Sequence, residues 1–411
     1  MRKQACSLSI TGAGGGVLKT FLLRPSASTL NMLRQACLQR RDAVPPTLTE
    51  KALIPGIPNA RYWLDHDLTP FIRDVSLANL REAEALANAG LPNDTLPLAS
   101  MLAVSGGGDA GTFAGGIIAG WTLHGSRPVF KVVTGISAGA LVAPFAYLGP
   151  QYDGVILGIC NAVGPKDIFH ARNVLTRLAS DGIAHSKPLS RLIAQHITAE
   201  VLAAIASEYA KGRLLMIGTT DLDSGRPVTW NMGAIASSQA PGALDLFRNI
   251  MIASMSIPGA VSPVMIDVEV DGQQFQEMHV DGGVLTQVFL YPPGTVMALN
   301  RVTGSRLRDE RHFYVIRNGK LELQWSGTKR RTLSIGGRAI SALIQTQGIS
   351  DLDRIYRIAQ QDGADFNLAY IGSDFDTSRA YKFDGEYMKR LFDYAFQLSA
   401  KGYPWHKSPN T

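Results

Sequence analysis

The chain has 411 residues, of which 45% are hydrophobic and 18% are charged, a composition that supports a large buried core and excludes wholesale disorder. Its 40 basic and 34 acidic side chains leave a net charge of +6. That excess is too small for a nucleic-acid groove built from dense lysine and arginine, and it fits weak attraction to an anionic surface. Cys6, Cys37 and Cys160 lie far apart without Cys-x-x-Cys spacing, so we expect neither a disulfide framework nor a cysteine-based zinc site.

Residues 1–97 are predicted to form an N-terminal extension with one amphipathic helix. The start is basic, but Thr11–Lys19 is Gly-rich and carries a charge before any apolar stretch forms, so we expect no signal peptide. Apolar residues at helical spacing predict a helix over Ser76–Ala89, which Gly90 and Pro92 end. The expected location is peripheral to a membrane, in a bacterium, without a transmembrane span.

Residues 98–300 are predicted to form the main domain, of the α/β class. The predicted elements are, in chain order, strand Leu98–Val104, helix Gly115–Leu123, strand Val129–Thr134, helix Ala138–Tyr147, helix Leu189–Ala210, and strands Arg213–Thr219, Val228–Met232 and Val264–Val270. Alternating strands and helices of this kind indicate a parallel sheet. The charge-free run Val132–Tyr152 is long enough to cross a bilayer, but its glycines and prolines favour a buried strand that enters a helix.

Residues 301–411 are more polar and more basic than the main domain. Arginine and lysine recur from Arg301 to Arg331. We predict a C-terminal extension packed on the core, and we expect a solvated charged surface or, alternatively, contact with anionic headgroups.

A first chemical motif is Gly135-Ile-Ser-Ala-Gly139, which follows the predicted strand Val129–Thr134. Small residues on both sides let a strand and a helix approach closely around a sharp turn that exposes the hydroxyl of Ser137. The pattern is typical of a serine nucleophile. The alternative is an ordinary Gly-rich turn from strand to helix.

A second motif, Ser105–Gly111, places consecutive glycines after the strand predicted at Leu98–Val104. Unobstructed backbone N–H groups there can bind a phosphate or a developing oxyanion. Gly106-x-Gly108-x-x-Gly111 also fits a dinucleotide-binding fingerprint, which needs an acidic residue at the end of the next strand. Lys131–Thr134 supplies none, so nucleotide binding and a purely structural turn are the alternatives.

A third motif is Asp281-Gly282-Gly283, in which the flanking glycines leave the carboxylate little covered. If the fold brings it to Ser137, Asp281 can act as general base. The alternatives are an ordinary hairpin or loop turn, and a Ser-His-Asp triad that uses the neighbouring His279.

Together, these motifs resemble the patatin-like phospholipase family, and the resemblance covers residues 98–300. The blocks that carry it are, in chain order, Gly106–Gly111, Gly135–Gly139, Ala253–Pro258 and Asp281–Gly283, with Leu215–Asp223 and Val228–Gly233 similar to bacterial members. The extensions at both ends are not explained by it.

The resemblance implies a three-layer α/β/α fold and a catalytic dyad in which Ser137 is the nucleophile and Asp281 the base. It implies an oxyanion hole from the backbone of Gly106, Gly107, Gly108 and Asp109. The remaining motif glycines are Gly111, Gly135, Gly139, Gly282 and Gly283. Many members carry Arg or Lys where this chain has Ala110, which weakens the inference to a phospholipid.

The resemblance further implies lipid acyl-ester hydrolysis through an acyl-enzyme, with a lipid or ester substrate presented at a membrane or micelle surface. No cofactor, no metal and no nucleic acid is expected, and the oligomeric state stays open. The alternatives are acyl transfer to an alcohol, a neutral-ester esterase and a catalytically idle lipid-binding module.

Overall fold

A computed structural model describes residues 41–92, 96–162, 170–171, 182–185, 187–303, 310–322, 325, 327–378, 381 and 383–409. Cys6, Cys37 and the segment Thr11–Lys19 lie outside these residues.

Within the described residues, a nine-stranded mixed sheet forms the centre, and three further strands form a separate sheet. The strands are β1 Arg61–Tyr62, β2 Ala99–Val104, β3 Phe130–Ile136, β4 His170–Ala171, β5 Gly182–His185, β6 Leu214–Asp221, β7 Arg226–Asn231, β8 Gly259–Val261, β9 Val264–Val270, β10 Gln273–Asp281, β11 Arg311–Arg317 and β12 Asp365–Tyr370. The main order is β1-β7-β6-β3-β2-β11-β12, and the small sheet is β4-β5-β8. From β6 to β12 the main sheet is parallel, and β1, β7, β9 and β10 add antiparallel pairs.

Helices cover both faces of the main sheet. They are α1 Thr69–Asn88, α2 Thr112–His124, α3 Ala138–Leu148, α4 Asp153–Ala162, α5 Lys187–His196, α6 Ala199–Ala210, α7 Met232–Ser237, α8 Ala243–Ser254, α9 Thr295–Thr303, α10 Thr332–Asp362 and α11 Gly385–Ala400. Every residue of β2, β3 and β6 is buried, as expected for parallel strands covered on both sides. The predicted α/β class, with a central sheet between helical layers, is confirmed.

The helix predicted over Leu189–Ala210 is wrong as a single element, because the structure has two helices, α5 and α6, that meet at a bend of 62°. Thr198 stands at the bend with an extended backbone, and its hydroxyl accepts the N–H of Val201 at 3.4 Å as the N-cap of α6. The guanidinium of Arg248 donates to the carbonyl of Ile197 at 2.7 Å, so a side chain distant in sequence caps the end of α5.

The strand and the helix predicted within the charge-free run Val132–Tyr152 are present as β3 and α3. Within the described part of the chain, no single helix has the length and apolar character needed to cross a bilayer, whereas α5 and α6 pass that test only as a bent pair. The helix predicted at Ser76–Ala89 is part of α1, which begins seven residues earlier, at Thr69.

The C-terminal part of the chain contributes directly to the main sheet. β11 pairs in parallel with β2, and β12 pairs in parallel with β11. On one face of the sheet, α11 packs closely against α2. The domain boundary at residue 300 stays a prediction, and the structure adds that residues on both sides of it share one sheet.

Two strands approach each other along the same edge of β6. β3 runs parallel to β6 and ends with Ile136 paired to Gly218, and β10 runs antiparallel and ends with Asp281 paired to Thr219. Since Gly218 and Thr219 are consecutive, the end of β3 and the end of β10 meet. This register brings the residue after β3, Ser137, next to Asp281.

Helices α2 and α11 approach through glycines. A Cβ added at Gly120 would lie 2.4 Å from the carbonyl oxygen of Phe396, and one added at Gly116 would lie 2.4 Å from that of Phe392. A side chain at either glycine therefore requires the two helix backbones to move apart.

We expect Gly120→Ala to lower the free energy of unfolding by about 2–3 kcal/mol through overpacking. Gly158→Ala is the matched control, because Gly158 lies inside α4 and an added Cβ meets nothing within 4 Å. There alanine should stabilise the protein by about 0.5 kcal/mol through its higher helix propensity. Urea unfolding measures both, and equal effects at the two positions would contradict the close packing of α2 on α11.

Candidate active site

Ser137 lies on the turn between β3 and α3 in a strained backbone conformation, with φ of 53° and ψ of −124°. The turn is tight, since a Cβ at Gly139 would lie 2.3 Å from the carbonyl oxygen of Val104 and one at Gly135 would lie 2.6 Å from that of Gly139. The strand-to-helix turn predicted from Gly135-x-Ser137-x-Gly139 is therefore present, and it presents the hydroxyl at the start of a helix.

The hydroxyl of Ser137 donates a hydrogen bond to Oδ2 of Asp281 at 2.7 Å. The other carboxylate oxygen, Oδ1, accepts the backbone N–H of Gly283 at 2.7 Å, which fixes the orientation of the carboxylate. Gly282 packs against β6, where a Cβ would lie 2.6 Å from the carbonyl oxygen of Gly218. Both side chains of the predicted dyad are buried and in contact.

Burial raises the pKa of Asp281 from its ordinary value to about 6, against the opposing effect of the hydrogen bonds from Ser137 and Gly283. A carboxyl with this pKa is ionised at neutral pH and still basic enough to accept a proton. Because the folded state binds this proton more tightly than the unfolded chain does, ionising Asp281 costs stability as pH rises from about 4 to about 6.

Ser254 holds the turn from behind, a contact that sequence reasoning missed. Its hydroxyl accepts the backbone N–H of Ser137 at 3.0 Å and donates to the carbonyl of Gly218 at 2.7 Å. The residue is fully buried. Ser254 belongs to the Ala253–Pro258 block, which is one of the blocks that carry the family resemblance. The sequence therefore pointed to this residue but did not reveal its hydrogen bonds.

The Gly-rich loop lies beside Ser137, where a Cβ at Gly106 would be 3.2 Å from Cβ of Ser137. The N–H of Gly106 donates to the carbonyl of Gln287 at 3.0 Å, so this predicted oxyanion donor already has an acceptor within the protein. Among the described residues, the N–H groups of Gly107 and Gly108 have no acceptor. These two N–H groups can therefore donate to a ligand at the loop.

The other two predicted loop residues hold the loop in place. The carboxylate of Asp109 is buried and accepts the backbone N–H of Phe383 at 3.1 Å, which ties the loop to the C-terminal region. A Cβ at Gly111 would lie 2.5 Å from Cβ of Ala138, so the loop and the start of α3 are in close contact.

Asn318, directly after β11, clamps the loop and was not predicted. Its backbone N–H donates to the hydroxyl of Ser105 at 2.8 Å, its Nδ2 donates to the carbonyl of Ser105 at 2.8 Å, and its Oδ1 accepts the N–H of Ala114 at 3.0 Å. A Cβ at Gly107 would lie 2.5 Å from Cβ of Asn318, so only glycine fits beside this clamp.

Ser137 lines a mostly apolar cavity that is open to solvent. Its walls include Leu141, Leu192 and Met255 from the main domain, and Phe383 and Met388 from the C-terminal region. The walls suit an extended hydrocarbon chain next to the hydroxyl.

Two other side chains near the site, Cys160 and His279, could be reactive but are not available for catalysis. Burial raises the pKa of the Cys160 thiol, at the cavity wall, to about 12, so it is protonated and inert at neutral pH.

His279 contacts Thr219 through Nδ1 at 3.0 Å and Glu277 through Nε2 at 3.1 Å, which uses both ring nitrogens. The alternative of a triad through His279 is therefore wrong. In the described part of the chain, no three His, Cys, Asp or Glu residues form a group that could hold a metal ion.

Residues 102–291 match a family model described as patatin-like phospholipase. The matched stretch begins within β2 and includes Ser137, Ser254 and Asp281. No curated protein matches the sequence.

Solved structures that are similar to the chain include VipD and a human cytosolic phospholipase A2. VipD, from Legionella pneumophila, has 13% sequence identity, a TM-score of 0.31, and coverage of 74% of this chain and 66% of VipD. The other is human GIVD cytosolic phospholipase A2, with 13% identity, a TM-score of 0.26, and coverage of 66% of this chain and 49% of that chain. The chain thus spans less than two thirds of either protein.

We expect Ser254→Ala to lower both the thermal stability and the reactivity of Ser137, because the N–H of Ser137 loses its buried acceptor at a cost of about 1–3 kcal/mol. Ser256→Ala is the matched control, since Ser256 is equally buried but its hydroxyl donates only to the carbonyl of Ile252, which also accepts the N–H of Met255. Thermal unfolding and the rate of labelling by a fluorophosphonate measure the difference. An equal loss of thermal stability and labelling rate in both variants would contradict a specific role for Ser254.

Proposed function

We propose that this chain, whose residues 102–291 match the patatin-like phospholipase family model, hydrolyses carboxylic ester bonds of lipids with Ser137 as nucleophile and Asp281 as general base. One observation carries the proposal, the 2.7 Å hydrogen bond from the Ser137 hydroxyl to the buried carboxylate of Asp281 beside an apolar cavity. The family match supports the class of reaction.

In the first step, Asp281 takes the proton of Ser137 while Oγ attacks the carbonyl carbon of the ester. The carbonyl π electrons move to oxygen, and the resulting oxyanion accepts hydrogen bonds from the N–H groups of Gly107 and Gly108. Donors of this kind typically contribute about 2.7–4 kcal/mol each to lowering the barrier. The Asn318 clamp keeps them in place before substrate arrives.

When the tetrahedral intermediate collapses, the carbon–oxygen bond to the alcohol breaks and Asp281 returns its proton to the departing alkoxide. The acyl group stays on Ser137. Asp281 then takes a proton from a water that attacks the acyl carbon, the bond to Oγ breaks, and Ser137 recovers the proton. The products are an alcohol and a fatty acid.

The cavity supports a long-chain acyl substrate. Leu141, Leu192 and Met255 provide apolar walls next to Oγ, so an acyl chain can lose contact with water as its ester reaches Ser137. Ala110, buried within the Gly-rich loop, adds no charge near this position. We therefore propose lipid acyl esters as the substrate class, without a requirement for a phosphate beside the loop.

A fluorophosphonate should label the wild-type protein, whereas Ser137→Ala should show neither labelling nor hydrolysis of a p-nitrophenyl ester above background. Asp281→Asn keeps the shape of the side chain but removes the base, and we expect a loss of at least about 10³-fold in kcat. Mass spectrometry identifies the labelled residue. The control is Ser256→Ala, which should stay labelled, and a well-folded wild type without labelling would refute the proposal in favour of an idle lipid-binding module.

The pH profile tests the base. Since Asp281 must be ionised to accept the proton, kcat/KM for a substrate without titrating groups should rise about tenfold per pH unit below a midpoint near 6 and level off above it. An inflection near 4, the ordinary value for an aspartate, would mean that the buried carboxyl is not the base. A rate that falls as pH rises from 5 to 7 would contradict the mechanism outright.

A further inference from the structure

The long helix α10 extends past the sheet at the active-site edge. Its 31 residues span about 45 Å, more than twice the length of the six-residue strand β12 that follows it. The guanidinium of Arg317, at the end of β11, contacts the carbonyl of Gln345 at 3.5 Å. Since β11 and β3 are both parallel to β2, this is the edge at which Ser137 lies. Residues 332–344 precede this contact and form about 20 Å of helix, most of it exposed, which we call the projecting half.

This projecting half carries an apolar stripe, which we define as Ile340, Leu343 and Ile344. Their side chains are exposed by 60%, 70% and 41%. The spacing i, i+3, i+4 places all three on one side of a helix. The opposite side carries Gln345, whose Nε2 donates to the carbonyl of Glu322 at 2.5 Å, so the polar side faces the protein and the stripe faces away from it.

The stripe is not a continuation of the side of α10 that faces the core. Leu352, in the second half of the helix, is fully buried, and it lies nine residues from Leu343. At about 3.6 residues per turn, nine residues place two side chains on opposite sides of a helix. The apolar residues of the first half therefore form a separate surface that core packing does not require.

Cations cluster where the projecting half begins. Lys329, Arg330 and Arg331 are consecutive and exposed, directly before Thr332. Positive charge at a helix N-terminus opposes the helix dipole, and adjacent cations repel each other. An external anionic surface would reverse both effects. A basic cluster beside an exposed apolar stripe is the pattern of helices that bind at a membrane interface.

We propose that the apolar stripe and the basic cluster Lys329–Arg331 form a docking surface for an anionic lipid bilayer. The surface rests on the proposed function, in that it would bring the cavity next to Ser137 to a layer that contains acyl esters. The cations contact headgroups, and the stripe enters the boundary between headgroups and acyl chains. The docking surface lies in the region beyond residue 300, outside the matched domain.

Vesicle co-sedimentation tests the proposal with Ser137→Ala protein, which leaves the lipid intact during the measurement. Vesicles of phosphatidylcholine with about one third phosphatidylglycerol should bind the protein, and pure phosphatidylcholine should bind it at least about tenfold more weakly. Ile340→Glu/Leu343→Glu and, separately, Lys329→Glu/Arg330→Glu/Arg331→Glu should each weaken binding to the anionic vesicles more than about tenfold.

The matched control is Leu80→Glu/Leu123→Glu, which places two charges on equally exposed leucines of α1 and α2. Leu123 lies near the end of α2, at the opposite edge of the sheet from Ser137, and Lys131 at the start of β3 contacts α1 at Ala78 and Glu82. This variant should bind vesicles as the parent protein does. With Ser137 restored, all three variants should hydrolyse a soluble p-nitrophenyl ester at the unchanged rate.

Equal vesicle binding by the stripe variant and the control would overturn the proposal, as would a parent protein that ignores anionic vesicles. The proposal would also be overturned if analytical ultracentrifugation showed that the parent protein is a dimer and that Ile340→Glu/Leu343→Glu is a monomer. The stripe would then bind a second copy of the chain. Vesicle binding by a protein that hydrolyses no ester would support the docking surface and refute the hydrolase proposal, so the two can fail separately.

Discussion

The candidate site depends on the pairing of β3 and β10 with one edge of β6. The two strands run toward each other and end at adjacent partners, Gly218 and Thr219. The residues that follow β3 and β10 therefore leave the sheet at the same point. The turn after β3 carries Ser137, and the last residue of β10 is Asp281. A shift of one residue in the β10 register would turn Asp281 to the other face of the sheet and break the contact.

The groups around this point are arranged at a cost in stability. Ser137 has a strained backbone, and the Asp281 carboxylate is ionised while buried. The contacts that hold them, from Ser254 behind the turn and Asn318 across the Gly-rich loop, are themselves fixed by buried hydrogen bonds. Strained and buried groups that are supported from several elements are typical of sites organised for chemistry before the ligand binds.

The sequence alone predicted the parts of the fold that are encoded locally. β2, β3 and β6 are largely apolar runs, and the small residues of Gly135-x-Ser137-x-Gly139 favour a tight turn after β3. The Asp281 carboxylate was identified from its glycines, but its position next to Ser137 depends on β10, which the pattern of residues 273–281 did not predict. The turn at Asp271-Gly272 joins β9 to β10, and both residues have positive φ.

The missed residues owe their roles to partners that are distant in sequence. Asn318 is one polar residue after a strand, and only the pairing of β11 with β2 brings it to Ser105. In the sequence, Ser254 is an ordinary serine at the end of a helix, and its role depends on a hydrogen bond to the Gly218 carbonyl of β6. In the same way, the bend between α5 and α6 depends on Arg248, which belongs to α8. Nothing in a local pattern records such contacts.

The place of β11 in the sheet has a consequence for any attempt to isolate the matched domain. β11 is hydrogen-bonded to β2 along its whole length, so a fragment ending at residue 300 would leave β2 as an open edge of six buried, largely apolar residues. Unpaired N–H and C=O groups on a flat apolar strand favour pairing with other chains and aggregation. The portion with the recognisable motifs therefore depends on the portion without them to cover this edge.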